Sequence, residues 1–285
     1  LPRICGIATF THDLHHAVFT QYPETECGVL AVNDIPEGYD YAAEVRFEIR
    51  EQSLRDYQEA SDFLSLNGFD VLCMQHEYGI YGGKAGSHIL ELIRQVNLPV
   101  VTTLHTILLE PTADQRQVMN GVIRESTRLV VMTERAKSML AETYDAPLDK
   151  IDLIPHGIPD MPFVDPSFFK DQFGVEGKKL LLTFGLLSPG KGIEYVIRAL
   201  PEITKRHPDL VYIVLGATHP NQLRTEGERY RQSLERLAEE LGMKDHVAFY
   251  NRFVKLKELK EFIGAADIYI TPYLKIGRAA CRERV

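Results

Sequence analysis

The sequence lacks an excess of basic residues. Its 285 residues include 32 Lys and Arg against 40 Asp and Glu, which gives a net charge of −8. Without a basic stripe to meet phosphate backbones, sequence-independent binding of nucleic acid is disfavoured. We therefore expect no nucleic-acid partner.

The chain also has no apolar run long enough to cross a bilayer, and no signal peptide opens it. Its four cysteines, Cys5, Cys27, Cys73 and Cys281, have neither metal-type nor paired spacing. These absences favour a reduced, cytoplasmic setting.

Several motifs of cofactor binding and nucleophilic catalysis are missing as well. No GxGxxG follows a predicted strand, which argues against a nicotinamide or flavin cofactor. No GxxxxGK(S/T) is present, which excludes P-loop phosphate chemistry, and no GxSxG marks a serine hydrolase. We expect no covalently bound cofactor.

What the chain has is a repeated alternation of strand-like and helix-like segments. Such alternation predicts βαβ units, parallel sheets and right-handed crossovers, which is the α/β class. Predicted strands are Gly28–Val32, Val45–Ile49, Asp70–Gln75, Val100–Leu104, Leu129–Met132, Ile151–Ile154, Leu180–Phe184, Val211–Leu215, Val247–Tyr250 and Ile268–Thr271. The first predicted helix starts near Thr11, and the next four cover Ser53–Leu66, Gly86–Val96, Gln115–Glu125 and Glu134–Thr143. In the second half of the chain, one predicted helix ends at about Lys205, another carries Tyr230 to Leu241, and the last carries Leu256 to Phe262.

Prolines interrupt this alternation between Gly157 and Gly177. We predict a linker at 157–178, an N-terminal domain at 1–156 and a C-terminal domain at 179–274. Both domains should be Rossmann-like, doubly wound sheets. Ligands of such folds bind beyond the carboxyl ends of the strands, so we expect a site in the cleft between the domains.

The most informative stretch is LLTFGLLSPGKGIEYVIRAL, Leu181 to Leu200. An apolar strand leads into a glycine-bearing turn, and Lys191 precedes a helix that should start near Gly190. Free N–H groups, the positive end of the helix dipole and a lysine charge together suit a phosphate. The alternative is an ordinary strand–helix turn with a solvated lysine.

Other polar residues also follow predicted strands. His76, Glu77 and Tyr78 come after one strand, His105 after the next, and His156 after the last strand of the first domain. A zinc site built from the three histidines is one interpretation, although no HxH or HExxH spacing supports it. The other is that they hydrogen-bond separately to a polyhydroxylated ligand. Gly6 predicts a glycine turn before the first helix.

Both ends of the chain look unusual. Leu1 opens it without the first strand that a doubly wound domain should have. Residues 276–285, IGRAACRERV, resemble the translated read-through of a common sequencing adapter; the alternative is a natural basic tail. We expect residues 275–285 to be non-native and the chain to be a fragment.

The segments RICGIATFTHDL, QHEYGIYGG, TTLHT, IPHGIPD, FGLLSPGKG, VLGATHP and ADIYITPY occur in this order. As an ordered set they resemble the retaining glycosyltransferases of family 4, a group 1 family, and most closely their mannosyltransferase-like bacterial branch. The resemblance implies the GT-B architecture, in which two Rossmann-like domains face a cleft. It also implies an acceptor-binding N-terminal domain and a C-terminal domain that binds a nucleotide-diphosphate sugar.

Roles carried over from the resemblance are these. Lys191 and His105 would be catalytic; Gly6, Ile7, Gly190, Gly192, Gly216, Thr218, His219, Asn251, Arg252 and Phe253 would bind the donor; His76, Glu77, Tyr78 and His156 would line the acceptor side. The donor would belong to the GDP-mannose or UDP-glucose class, and the acceptor would be a glycan, a lipid-linked glycan or a small molecule. Transfer of a hexose would retain configuration, with no metal required. A cytoplasmic protein with peripheral contact at the inner face of the membrane is compatible with the resemblance.

Two departures from the family pattern matter. Leu186 stands where many members carry an arginine that binds the diphosphate, and the family's glutamate pair is replaced by residues 276–285. We therefore expect the chain as written to be poorly soluble and to have little transferase activity. Two other functions stay open: a non-catalytic two-domain protein that binds a sugar or anion, and a sugar-nucleotide epimerase of the GT-B fold.

Overall fold

The computed structural model describes residues 5–158, 161, 163–274 and 278–280. Within them the chain forms two compact units, which meet in sequence between Gly157 and Ile158. The main sheet of each unit is parallel, with helices between successive strands. The predicted α/β class is confirmed. The predicted non-native tail lies outside the described residues, except for residues 278–280.

The first unit contains a parallel sheet with the strand order β3-β4-β6-β7, a parallel pair β1-β2, and an antiparallel pair β5-β12. The strands are β1 Val29–Asn33, β2 Val45–Arg50, β3 Leu72–His76, β4 Val100–Leu104, β5 Thr106–Leu108, β6 Arg128–Val131, β7 Ile151–Leu153 and β12 Arg278–Ala280. The helices are α1 Gly6–Gln21, α2 Leu54–Leu66, α3 Ile89–Gln95, α4 Ala113–Glu125 and α5 Glu134–Tyr144.

The core of the first unit joins its main sheet to the helices that cover it. Leu104 on β4, Met119 on α4 and Leu140 on α5 are fully buried in one cluster. In the register of β3 and β4, His76 pairs with Leu104. The residues that follow these two strands therefore emerge at the same edge of the sheet.

The second unit is one parallel sheet with the strand order β10-β9-β8-β11. The strands are β8 Lys179–Phe184, β9 Leu210–Leu215, β10 Val247–Tyr250 and β11 Ile268–Tyr269, and the helices are α6 Ser167–Lys170, α7 Ile193–Thr204, α8 Pro220–Glu226, α9 Arg229–Glu240 and α10 Leu256–Ala265.

Alternating residues of β8 enter two different cores. Leu181 packs with residues of α7 and α9, whereas Leu180 and Leu182 pack with Phe262 of α10. A parallel strand covered on both faces carries apolar residues on both sides, which explains the unbroken apolar run that predicted this strand.

Three elements of the structure were not predicted. Residues 167–170 of the predicted linker form α6, and Val175 is buried in the core of the second unit. The predicted helix through Tyr230 to Leu241 is confirmed as α9, whereas α8 before it was not predicted; Gly227 between the two helices has a left-handed φ of 63°. The three-residue strand β5 was not predicted.

The first helix starts earlier than the sequence indicates. It begins at Gly6 after extended Cys5, and not near Thr11. The Thr11 hydroxyl donates to the carbonyl of Ile7 at 2.8 Å, so it bonds back along the helix instead of capping it. Gly6 is the first helical residue, and the glycine turn predicted there is wrong.

Candidate functional site

The strand order of the second unit places a topological switch point beside β8. Strands β9 and β10 follow on one side of β8, while β11 pairs on the other side. In open parallel sheets a crevice forms at such a point, beyond the carboxyl ends of the strands. The turn after β8 and the segment after β11 therefore border a candidate site.

The turn after β8 carries Lys191. Residues Pro189–Lys191 form one 3₁₀ turn, Gly192 is left-handed with a φ of 63°, and α7 begins at Ile193. A Cβ at Gly192 would lie 2.1 Å from the carbonyl oxygen of Pro272, so only glycine fits. The turn has the lysine and helix start that the sequence predicts, although α7 begins a few residues after Gly190.

A residue in the segment that follows β11 holds the side chain of Lys191. Its Nζ donates to the hydroxyl of Tyr273 at 2.7 Å and lies 4.2 Å from the centre of that ring. The backbone N–H of Leu274 donates to the carbonyl of Gly190 at 3.2 Å. Two turns that are distant in sequence therefore pack together at the switch point.

The end of β9 lies against the same turn. A Cβ at Gly216 would come within 2.1 Å of the carbonyl oxygen of Gly185, so the two strand ends need glycine to approach this closely. Leu187 donates its N–H to Ala217, and His219 donates its N–H to Leu187, both at 2.9 Å. Three predicted donor-binding residues, Gly216, Thr218 and His219, are thereby brought beside the turn of Lys191.

Positive charge concentrates at this place. Partial burial lowers the pKa of His219, and the charges of Lys191 and Arg224 lower it further. Arg224 lies on α8 and was not predicted as a site residue. The first N–H groups of α7 add the positive end of a helix dipole. Such an arrangement can bind an anion, and a phosphate group fits its chemistry.

The hydroxyl of Thr218 holds a carboxylate beside the site. Thr218 is buried, and its hydroxyl donates to Oε2 of Glu228 at 2.6 Å. Nε of Arg231 donates to the same oxygen at 2.9 Å. The hydrogen bond from Thr218 is the main cause that lowers the pKa of Glu228, and one from Asn251 contributes. Thr218 and Asn251 therefore fix a carboxylate at the ends of β9 and β10.

The other two residues of the predicted base wall differ in what they offer a ligand. Arg252 forms an ion pair with Glu258, in which one guanidinium nitrogen lies 2.9 Å from the carboxylate. Phe253 exposes 55% of its surface and presents an aromatic face for stacking.

In the first unit, His105 emerges just after β4. Its Nε2 lies 2.8 Å from Oε1 of Gln75, a contact that orients the ring. Phe10 of α1 meets His105 edge to face at 4.9 Å and meets His156 at 5.3 Å. One phenyl ring thus brings together two histidines that the sequence placed only at separate strand ends.

Glu77 is fixed by the short strand β5. The Thr106 hydroxyl donates to one carboxylate oxygen, and the N–H of Tyr78 donates to the other at 3.1 Å. Tyr78 is buried, and burial is the main cause that raises its pKa above the ordinary range. Glu77 keeps partial exposure, whereas Tyr78 shows little surface to a ligand.

His76 has no exposed surface at all. Burial and the charge of His105 lower its pKa to about 4, so the ring is neutral at physiological pH. Neither ring nitrogen has a hydrogen-bond partner within the described part of the chain. His76 therefore has no accessible atom for the predicted contact with an acceptor. It can affect a ligand only through the residues that pack against it.

Gly6 and Ile7 lie in the first turn of α1, where N–H groups lack helical acceptors. Their predicted contact with a donor diphosphate would use these groups, and it stays a prediction.

Across residues 5–158, 161 and 163–274, no group of three or more His, Cys, Asp or Glu side chains is placed to hold a metal ion. In the same part of the chain, no helix has the length and apolar character needed to cross a membrane.

Four residues around these sites were missed by sequence reasoning: Phe10, Gln75, Arg224 and Tyr273. Gln75 directly precedes His76 at the end of a predicted strand, and a polar residue at that position could have been predicted as part of the site. Tyr273 follows the last predicted strand and offered the same signal. Phe10 acts through tertiary contacts that no local pattern shows, and Arg224 lies on α8, a helix that was not predicted.

Residues 165–277 match the family described as glycosyl transferases group 1. An uncharacterized glycosyltransferase of Methanocaldococcus jannaschii is 30% identical over 155 residues, which cover 52% of this chain and 37% of that protein. The GDP-mannose-dependent alpha-(1-6)-phosphatidylinositol monomannoside mannosyltransferase of Mycolicibacterium smegmatis is 25% identical over 161 residues, covering 55% and 39%. The chain matches less than half the length of these curated relatives.

Two solved structures show the same fold. Sucrose-phosphate synthase from Thermosynechococcus elongatus superposes with a TM-score of 0.72 at 18% identity, over 94% of this chain and 70% of that one. HepE of Anabaena, in complex with UDP-glucose, gives 0.59 at 18% identity, over 79% and 60%. The predicted fold class, two Rossmann-like units of the GT-B type, is confirmed, and so is the resemblance at the level of group 1 glycosyl transferases.

Proposed function

We propose that this chain is a nucleotide-sugar-dependent hexosyltransferase that retains anomeric configuration, from the mannosyltransferase-like branch of family 4. The observation that supports this most is the cluster of two cations, Lys191 and Arg224, around His219 at the switch point of the second unit. It lies within the segment that matches the group 1 glycosyl transferases. A diphosphate leaving group would carry the negative charge that this cluster suits.

The second unit would bind the donor. Lys191 and the N–H groups of α7 would stabilise charge that develops on the leaving diphosphate, which is electrostatic catalysis. Gly190, Gly192 and Gly216 would let backbone approach the phosphates. The exposed ring of Phe253 would stack on the base, next to Asn251 and Arg252.

The first unit would bind the acceptor. His105, oriented by Gln75, would hydrogen-bond a sugar hydroxyl near the transferred group. Glu77 and His156 would contact acceptor hydroxyls, and Tyr78 and His76 would support them from beneath. Same-face attack, with the leaving phosphate as the base, would need no metal ion.

The donor would be of the GDP-mannose or UDP-glucose class. One relative is named as GDP-mannose-dependent, and one structural neighbour was solved with UDP-glucose. The acceptor would be a glycan, a lipid-linked glycan or a small molecule. We place the protein in the cytoplasm, with peripheral contact at the inner face of the membrane.

The test is donor binding followed by donor use. The purified chain is titrated with GDP-mannose and with UDP-glucose by calorimetry, and Lys191→Met is titrated in parallel. We expect one donor to bind, and the variant to bind it at least about tenfold more weakly, as expected for the loss of a charged hydrogen bond. Binding of neither donor would contradict the proposal.

Release of the nucleoside diphosphate then separates the remaining functions. The assay mixes the purified protein with the donor that it binds and with mixed glycan acceptors, and it detects free GDP or UDP. Release that depends on acceptor, with a retained anomeric signal by NMR, supports a transferase. Donor binding without release indicates a binding protein, and a changed sugar still attached to its nucleotide indicates an epimerase.

A further inference from the structure

We propose that Tyr273 is a positioning residue that holds the Lys191 ammonium where the donor diphosphate binds. This inference rests on the proposed function, because it assigns a new residue to the same site. Tyr273 ends the segment ADIYITPY, but no role was assigned to it, and it lies 82 residues after Lys191 in the chain.

The hydrogen bond dominates the contact between the two side chains. Lys191 Nζ lies 2.7 Å from the Tyr273 hydroxyl but 4.2 Å from the ring centre, so it sits near the hydroxyl edge of the ring. An ammonium has three N–H donors. The hydroxyl accepts one of them, which leaves two for phosphate oxygens.

Tyr273 is itself held firmly. Ile270 donates its N–H to Leu182 at 2.8 Å, and the Thr183 hydroxyl donates to the carbonyl of Ile270 at 2.7 Å. These bonds fasten the end of β11 to the central strand β8. Beyond Tyr273, the N–H of Leu274 bonds to Gly190, in the same turn as Lys191. The tyrosine is therefore anchored on both sides.

A glycine borders the ammonium on another side. A Cβ at Gly185 would lie 3.3 Å from Lys191 Nζ, which is tight for a side chain. The ammonium thus lies in a gap between the backbone of Gly185 and the hydroxyl of Tyr273. This gap opens at the carboxyl end of β8, where the crevice of the switch point forms.

A fixed lysine matters in this chain because Leu186 stands where the family resemblance places an arginine. An arginine grips phosphate through a rigid two-pronged fork, whereas a lysine is a point charge on a flexible four-carbon stem. Holding the ammonium in one position before the ligand arrives removes part of that disadvantage, because less rotamer freedom is lost on binding.

The test is a double-mutant cycle on the full chain, with UDP and GDP as the titrants in calorimetry. The variants are Tyr273→Phe, Lys191→Met and the two combined; Tyr195→Phe, an exposed tyrosine on α7, is the matched control. We expect Tyr273→Phe to weaken binding about tenfold, the low end for a hydrogen bond to a charged group. In the Lys191→Met background, Tyr273→Phe should have no further effect.

Two results would overturn the inference while the proposed function stands. One is wild-type affinity for Tyr273→Phe. The other is an equal loss from Tyr273→Phe in both backgrounds, because a tyrosine that merely supports the fold acts independently of the lysine. If the wild-type chain binds neither UDP nor GDP, the proposed function and this inference both fail. Thermal midpoints of Tyr273→Phe and Tyr195→Phe that match the wild type confirm that folding is intact.

Discussion

The two candidate catalytic side chains share one property at the scale of single residues. Each is held by a partner that is remote in sequence: Lys191 by Tyr273, and His105 by Gln75. A group that is oriented before its ligand arrives need not reorganise during a reaction, which makes its electrostatic effect larger.

Donor binding should strengthen as pH falls, through His219. In the free protein, partial burial and the charges of Lys191 and Arg224 lower the pKa of His219. A bound diphosphate neutralises these charges and favours the protonated ring, so binding takes up a proton. We expect affinity for UDP or GDP to rise on going from pH 8 to pH 6, by at most about tenfold per pH unit from this one site.

The control for this prediction is His219→Asn. The phosphate groups of the nucleotide also titrate in this range, and their contribution remains in the variant. Calorimetry in two buffers of different ionisation enthalpy reports the proton uptake directly. Equal proton uptake by the wild type and by His219→Asn would contradict the role assigned to the histidine.

Local sequence accounts for Lys191 but not for its partner. An apolar strand, a glycine turn and helical spacing are all short-range signals, and together they predicted the turn of Lys191. The contact with Tyr273 depends on β11 pairing with β8, which follows from the order of strands in the sheet. The burial of His76 was also missed, because it depends on how the rings of the loop after β3, such as Tyr81, fold back over it.

At the scale of elements, the turn between β8 and α7 is constrained at Gly192 but not at Gly190. Gly192 combines a left-handed backbone with direct packing against the carbonyl of Pro272. Gly190, two residues earlier, has nothing within 4 Å of where its Cβ would be. The two glycines of one turn therefore serve different purposes.

We expect Gly192→Ala to lower the free energy of unfolding of the second unit by about 1–2 kcal/mol, the cost of a left-handed alanine. The clash with Pro272 adds to this and shifts Lys191, so binding of UDP or GDP should weaken as well. Gly190→Ala is the matched control and should stay within ~0.5 kcal/mol of the wild type. Urea denaturation measures both, and equal effects of the two variants would contradict this view of the turn.

Two strands have the boundaries that the sequence predicts. β4 and β10 begin and end where their apolar runs do. The start of α1 was missed because Cys5 supplies no capping side chain that could mark it. α8 was missed because its 7 residues are too few to show a helical repeat.

At the scale of the whole molecule, each unit has its own core and its own ion pair. In the first unit, Arg50 binds Asp56 through its backbone N–H at 2.9 Å and through its guanidinium at 2.8 Å. In the second unit, buried Lys170 binds Asp267 at 2.7 Å, and Asp267 also accepts the N–H of Leu180. Separate cores predict separate unfolding transitions.

Asp56→Asn and Asp267→Asn should each destabilise one unit by about 2 kcal/mol, the cost of losing hydrogen bonds to a charged group. Differential scanning calorimetry should show one transition lowered by Asp56→Asn and the other lowered by Asp267→Asn. A single transition that both variants lower equally would contradict independent units.

The effect of Asp56→Asn should also depend on pH. Pairing with Arg50 holds the pKa of Asp56 well below its ordinary value. The stabilisation from Asp56 is therefore complete above about pH 4 and is lost as pH falls further. We expect the difference between Asp56→Asn and the wild type to be constant near neutral pH and to shrink in acid. Unfolding by urea at pH 7 and at pH 3 measures it.

The strand order of the second unit also sets when its anion site can form during synthesis. The ribosome makes β8 first and β11 last, yet the two are neighbours in the sheet. At ordinary translation speed, the synthesis of β11 follows that of β8 by on the order of ten seconds, and one edge of β8 is unpaired during this time. Until Tyr273 emerges, Lys191 has a complete turn around it and no hydroxyl to hold it. A chain whose synthesis ends in this interval would have three of the four strands of this sheet and an unfinished site.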